Sequence, residues 1–123
     1  MTQLILDGIT THSVTTPRLT ANVLERPAAS AASKTVVFVH GNVSSSLFWQ
    51  PTMLALSPDI RAVAIDLRGF GDSETLPVDA TRGVRDFSDD VVSVLDVLGV
   101  ESFNLVGWSM GGGVAMQLML DHP

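Results

Sequence analysis

The chain has 123 residues, 46% of them hydrophobic and 16% charged, with a formal net charge of −6 and no cysteine. That length suits one domain with a real core, and the composition is globular rather than disordered. The acidic balance gives no footprint for nucleic acid or anionic lipid, and without cysteine there is no thiol nucleophile, disulfide or thiolate metal site.

No apolar run approaches the roughly 20 residues needed to span a bilayer. Met1 to His12 carries Asp7 and lacks the basic-then-apolar layout of a signal peptide. The expectation is a cytoplasmic protein with no membrane or nucleic-acid partner. Gln3 to Ile9 and Leu19 to Glu25 read as two strands; in the second, Leu19, Ala21 and Val23 alternate with Thr20 and Asn22. Arg26 to Ser33 is a loop by composition.

The character then changes. Val36 to Val39, Ala62 to Ile65 and Phe103 to Val106 are short, nearly unbroken apolar runs, as in strands of a parallel sheet covered on both faces. A short helix is expected over Ser46–Leu56, with Pro51 limiting its regular part. Val84, Phe87, Val91, Val94, Leu95 and Leu98 recur at helical spacing. Asp86, Asp89, Asp90 and Asp96 fall mostly on the opposite side, and Gly99 is a plausible stop. A last helix runs from Ser109 to about Asp121. Strands separated by helices predict an α/β protein with a mostly parallel sheet and right-handed crossovers.

The third apolar run leads into Gly107-Trp108-Ser109-Met110-Gly111-Gly112-Gly113. G-x-S-x-G between strand and helix is a nucleophile elbow. The chain turns so abruptly that the serine sits strained at the tip with its hydroxyl outward. Gly107 and Gly111 remove the Cβ atoms that would collide as strand and helix close together. Gly112 and Gly113 each cost roughly 1 kcal/mol against alanine inside a helix, which argues for close backbone approach. Acyl transfer also needs two N–H donors for the developing oxyanion. One is the amide after the nucleophile, Met110, at the positive end of its helix. The other should come from the loop after Val39, which begins His40-Gly41-Asn42. Asp66 to Ser73, after the next strand, reads as a tight turn whose Asp and Arg hold a loop together.

His-Gly after one strand, D-x-R-G-x-G-x-S after the next and G-x-S-M-G-G at the elbow together resemble the N-terminal half of an α/β-hydrolase, from about residue 18 onward. The resemblance implies Ser109 as the nucleophile and the amides of Met110 and Asn42 as the oxyanion hole, with His40, Gly41, Gly107 and Gly111 as supporting motif residues. It implies a strand order 1-2-4-3-5 and onward. His-Gly-Asn is also similar to haloalkane dehalogenases, but these use an aspartate where this chain has Ser109. That argues against dehalogenation and against Asp-dependent epoxide hydrolases.

A serine needs a histidine held by an acid, and the family order places both after the nucleophile. After Ser109 only Asp121 and His122 qualify, and a helix separates them from it by about 18–20 Å. His12 lies among the early strands, and His40 belongs to the oxyanion loop with no acid following it. The chain therefore holds a nucleophile and an oxyanion hole without a complete triad.

Three accounts follow: an incomplete N-terminal portion (residues 1–123) of one hydrolase domain, complemented by a C-terminal segment as a second chain or simply lacking it; a non-catalytic ligand-binding relative; or a self-contained domain with another base. Phe103–Val106 would otherwise be a bare apolar edge, which favours the first. The expected activity is carboxylesterase-like acyl transfer on a small ester-like substrate, without metal or organic cofactor. A perhydrolase, C–C-bond hydrolase or aminopeptidase of the same family is the alternative. Trp108, with Phe48 or Trp49, is the candidate substrate-lining residue.

Overall fold

A computed structural model describes residues 4–29 and 34–123. Five strands form one sheet in the order β1-β2-β4-β3-β5, the order the resemblance implied. They are β1 (Thr10–Thr15), β2 (Thr20–Arg26), β3 (Lys34–Val39), β4 (Ile60–Ile65) and β5 (Asn104–Gly107). β1 and β2 form an antiparallel hairpin and β2 runs antiparallel to β4, whereas β4, β3 and β5 are parallel. Helix α1 (Gln50–Ala55) follows a 3₁₀ turn at Ser46–Trp49; α2 (Arg85–Leu98) and α3 (Met110–Asp121) complete the described elements.

Two of the three apolar runs, β3 and β4, have a direct cause: each buries both faces. The third does not, because β5 is the sheet edge, with Asn104 and Val106 exposed and Leu105 half-buried. Val37 and Val39, Val63 and Ile65, and Val23 point to one side, where Val91, Val94 and Leu95 of α2 and Val114 and Leu118 of α3 cover them. Phe38, Ala62, Ala64 and Leu24 point to the other side, against Trp49 and Met53. Alternate residues serve opposite layers, so no polar position interrupts the run. Gly99 closes α2 in a left-handed conformation with φ 73°. No helix among the described residues is long and apolar enough to cross a membrane.

Two sequence expectations need correction. The first strand is Thr10–Thr15, not Gln3–Ile9, of which residue 3 lies outside the described residues. The apolar segment instead lies across α1. The Leu6 N–H donates to Gln50 Oε1 at 2.8 Å, and Gln50 Nε2 donates to the Leu4 carbonyl at 3.0 Å. The polar run that does form β1 is set by hairpin register, from Thr15 opposite Thr20 to Thr10 opposite Glu25. Second, Asp86 and Asp90 are buried on α2 rather than solvated. Arg68 grips Asp90 with Nε and Nη2 at 2.8 and 2.9 Å, and Arg18 Nε reaches the same carboxylate at 2.8 Å. Residues 30–33 of the expected loop lie outside the described residues.

Candidate functional site

The parallel strands β3, β4 and β5 deliver three loops to one side of the sheet. β5 runs directly into α3 through Trp108 and Ser109, and Ser109 takes φ 56°, ψ −119° with its side chain exposed. Non-glycine residues reach positive φ seldom, at a cost on the order of 1–3 kcal/mol. Among the described residues the only other one is Val43, φ 53°, in the loop after β3. Both strained side-chain-bearing residues thus lie in the two loops that sequence reasoning paired.

Gly107 and Gly111 are obligatory where the elbow closes, but the close approach expected at Gly112 and Gly113 is not found. A Cβ on Gly112 would come no nearer than 3.8 Å to the Gly107 carbonyl, and one on Gly113 would meet nothing within 4 Å. A Cβ on Gly107 would run into the Gly111 carbonyl, and a Cβ on Gly111 into the carbonyls of Val39 and His40. The Trp108 N–H donates to the Val39 carbonyl at 3.2 Å, fastening the elbow to the end of β3. The loop after β3 comes equally close: a Cβ on Gly41 would stand 3.1 Å from the Ser109 Cβ and 2.6 Å from the Trp108 ring. Asn42 follows on the exposed side of this contact. Met110 opens α3, so its N–H has no intrahelical acceptor. Among the described residues neither the Asn42 nor the Met110 N–H donates a hydrogen bond.

His40 is completely buried. Its Nδ1 donates to the Gly41 carbonyl at 2.8 Å, and its Nε2 accepts the Leu67 N–H at 3.0 Å. Burial pushes its pKa below the ordinary value, against the smaller opposing pull of the Gly41 carbonyl and Asp66. A neutral imidazole with both nitrogens engaged ties loops together and has no lone pair to offer Ser109.

The other histidines lie elsewhere. His12, on β1 at the opposite sheet edge from β5, is near Glu25 at 3.4 Å. His122 follows α3 and lies 3.7 Å from Asp89, while Asp121 accepts from Arg85 and Gln117. The 12 residues of α3 separate that end from Ser109 by about 18 Å. No described histidine meets Ser109 as a base. Trp108 stacks on Phe48 with ring centroids 5.1 Å apart and an interplanar angle of 17°, both rings about half exposed. Trp49 instead packs inward against Phe38. Among the described residues no cluster of three metal-ligating side chains occurs.

Asp66 to Ser73 is a structural loop, as its sequence suggested. Arg68 adds a bond to the Pro77 carbonyl at 2.6 Å, and Ser73 Oγ donates to the Asp66 carbonyl at 2.6 Å. Sequence reasoning missed the Arg68–Asp90–Arg18 cluster. Its signal was present in the charged positions of an otherwise amphipathic α2, but which charges turn inward depends on partners 22 and 72 residues away.

The family model for the α/β hydrolase fold matches residues 34–123. The chain belongs to that family. Over 97 residues it is 38% identical to 2-hydroxymuconate semialdehyde hydrolase from Pseudomonas sp. (strain CF600), covering 76% of this chain and 34% of the relative. The crystal structure of epoxide hydrolase VrEH1 from Vigna radiata superposes with a TM-score of 0.84 at 30% identity, covering 98% of this chain and 37% of that one. An epoxide hydrolase from an endophytic Streptomyces gives 0.82 at 28% identity, covering 94% and 34%. The chain spans about a third of the length of these relatives.

Proposed function

We propose that this chain carries the nucleophile and oxyanion hole of a serine hydrolase acting on a small ester-like substrate. The observation that carries the reading is Ser109 itself: exposed at φ 56° between β5 and α3, with Gly41 packed against it. Ser109 Oγ bonds to the carbonyl carbon as its proton passes to a histidine base. The carbonyl oxygen becomes an oxyanion facing the Met110 and Asn42 N–H groups. The tetrahedral centre collapses, the leaving group departs with that proton, and water repeats the sequence to free the acid and restore Ser109. No metal or organic cofactor enters any step.

The base and its acid come, in this reading, from a complementary segment outside these 123 residues. Support comes from the engagement of both His40 nitrogens, from the remoteness of His12 and His122, and from relatives about three times as long. The 123-residue chain alone is accordingly nearly inactive. The similarity to epoxide hydrolases speaks for the backbone, while a serine at the elbow favours acyl transfer over an aspartate-type alkyl intermediate.

A fluorophosphonate probe tests the reading. The assembly of this chain with the complementary segment is expected to label at Ser109, and Ser109→Ala to abolish labelling. An unreactive Ser109 in that assembly would favour a ligand-binding relative, for which the exposed Phe48–Trp108 stack is the natural contact surface.

A further inference from the structure

We infer that Asp66 is a positioning residue for the Asn42 amide, acting through a two-point clamp on the loop that faces Ser109. The inference rests on the serine-hydrolase reading for its catalytic meaning. The loop between His40 and Ser46 leaves β3 exposed at Asn42 and Val43 and returns to the buried layer at Ser46. Both ends are held by one dipeptide of the neighbouring strand end. At the entry, the Leu67 N–H donates to His40 Nε2 at 3.0 Å. At the exit, the Ser46 N–H donates to Asp66 Oδ1 at 2.7 Å.

The carboxylate is itself fixed from every direction the structure shows. Oδ2 accepts Asn22 Nδ2 at 3.0 Å and the Asp72 N–H at 3.1 Å. The Asp66 N–H donates to the Asn22 carbonyl at 3.0 Å, and the Asp66 carbonyl accepts Ser73 Oγ at 2.6 Å. Asp66 is wholly buried. A carboxylate accepts at both oxygens and donates at neither, so it alone matches three converging N–H donors. Between the two anchors stands Val43 at φ 53°. A β-branched residue keeps that conformation only where its surroundings enforce it, and the clamp supplies the enforcement. The span pinned in this way contains Gly41, which packs against Ser109, and Asn42 beside it, so the placement of the Asn42 N–H that the hydrolase reading requires is set from β4 as well as from β3.

Asp66→Asn replaces one acceptor oxygen by an NH₂ that faces donors. In the ¹⁵N-labelled chain, the amides of Asn42 to Ser45 are expected to broaden or split. The through-hydrogen-bond coupling between the Leu67 nitrogen and His40 Nε2 should persist, as should amide-exchange protection at Val37 and Val63. Single, unshifted resonances from Asn42 to Ser45 would overturn the proposal.

Should Asp66→Asn lose protection throughout, Ser46→Pro decides. Ser46 opens the 3₁₀ turn and Ser45 before it is extended, with φ −159°, a backbone setting proline accepts. The substitution removes the N–H together with the buried Oγ, which bonds to no partner among the described residues. Ser46→Pro should reproduce the loop signature with the core intact; sharp loop amides, or global unfolding of both variants, would refute the clamp. In the complete assembly, p-nitrophenyl acetate turnover per fluorophosphonate-titrated Ser109 should fall about tenfold in kcat, with KM within about twofold. Removing a donor felt only in the transition state has that form. If wild-type Ser109 never labels, the hydrolase reading fails, while the amide resonances still report on the clamp.

Discussion

The turn from Gly107 to Gly111 and the turn from Asp66 to Ser73 both follow strands of the same parallel sheet, and both are rich in glycine. They are built in opposite ways. At the elbow, Ser109 is exposed and strained, and its neighbours Trp108 and Phe48 lie half open to solvent. In the other turn Asp66, Leu67, Arg68 and Ser73 are buried, and the polar side chains are bonded to partners across the domain. One turn holds strain where Ser109 projects, the position that the proposed function uses; the other pins its buried polar residues, Asp66, Arg68 and Ser73, to partners on neighbouring elements.

The largest expected effect breaks the comparison at the elbow. Ser109→Gly should eliminate fluorophosphonate labelling of the complete assembly, a loss of at least about 10³-fold. The same substitution relieves φ 56° and should raise stability to urea by about 1 kcal/mol. A gain in stability coupled to complete loss of labelling is the signature of strain held for function. A loss of stability on removing that side chain would show that Ser109 is ordinary packing.

The opposite response is expected at the buried turn. Asp90→Asn leaves the Arg68 guanidinium without its two-point partner at 2.8 and 2.9 Å. Breaking a buried pair from one side costs about 3 kcal/mol, read as a lower urea midpoint. Gly111→Ala tests the closure between the two turns. Its Cβ would meet the carbonyls of Val39 and His40, which are backbone and cannot swing away. Overpacking of this kind costs about 1–3 kcal/mol, so it should rank below Asp90→Asn. A neutral Gly111→Ala would mean that the helix is free to lift off β3.

These contrasts explain what the sequence disclosed. The elbow was legible because its sharpest constraint is local, Gly107 closing on the Gly111 carbonyl within five positions, whereas the packing of Gly111 against Val39 and His40 is long-range and was not legible. The central strands were legible because burial of both faces leaves no polar gap. Thr10–Thr15 was not, since a polar edge strand is specified by its hairpin partner rather than by its own pattern. Nor was the role proposed for Asp66, which accepts N–H groups from Asn22, Ser46 and Asp72, far apart in the chain. Asp90 was assigned to solvent for the same reason. Periodicity shows where a helix has two faces, but not that an inward acid meets arginines from β1–β2 and from the turn after β4.

The smallest expected effect concerns His40, which joins the two turns. Burial lowers its folded pKa below the ordinary 6.5, while in the unfolded chain it titrates near that value. Between the two values the unfolded chain binds the extra proton, so stability is full above about pH 6.5 and declines as pH falls toward the folded pKa, by at most about 1.4 kcal/mol per pH unit. Asp86 acts in a separate window. The Asp79 N–H, with Arg18 and Arg82, holds it below its ordinary 3.8, so its contribution is present above about pH 4 and lost only below that. Urea midpoints between about pH 4.5 and 8 lie above the carboxylate window, and the part of their slope that a His40 substitution removes belongs to His40. His40→Gln, which keeps an acceptor for the Leu67 N–H, should be less stable at neutral pH and show a shallower fall across that range. A slope unchanged by His40→Gln would assign the titration elsewhere and remove the buried imidazole as the neutral link between elbow and turn.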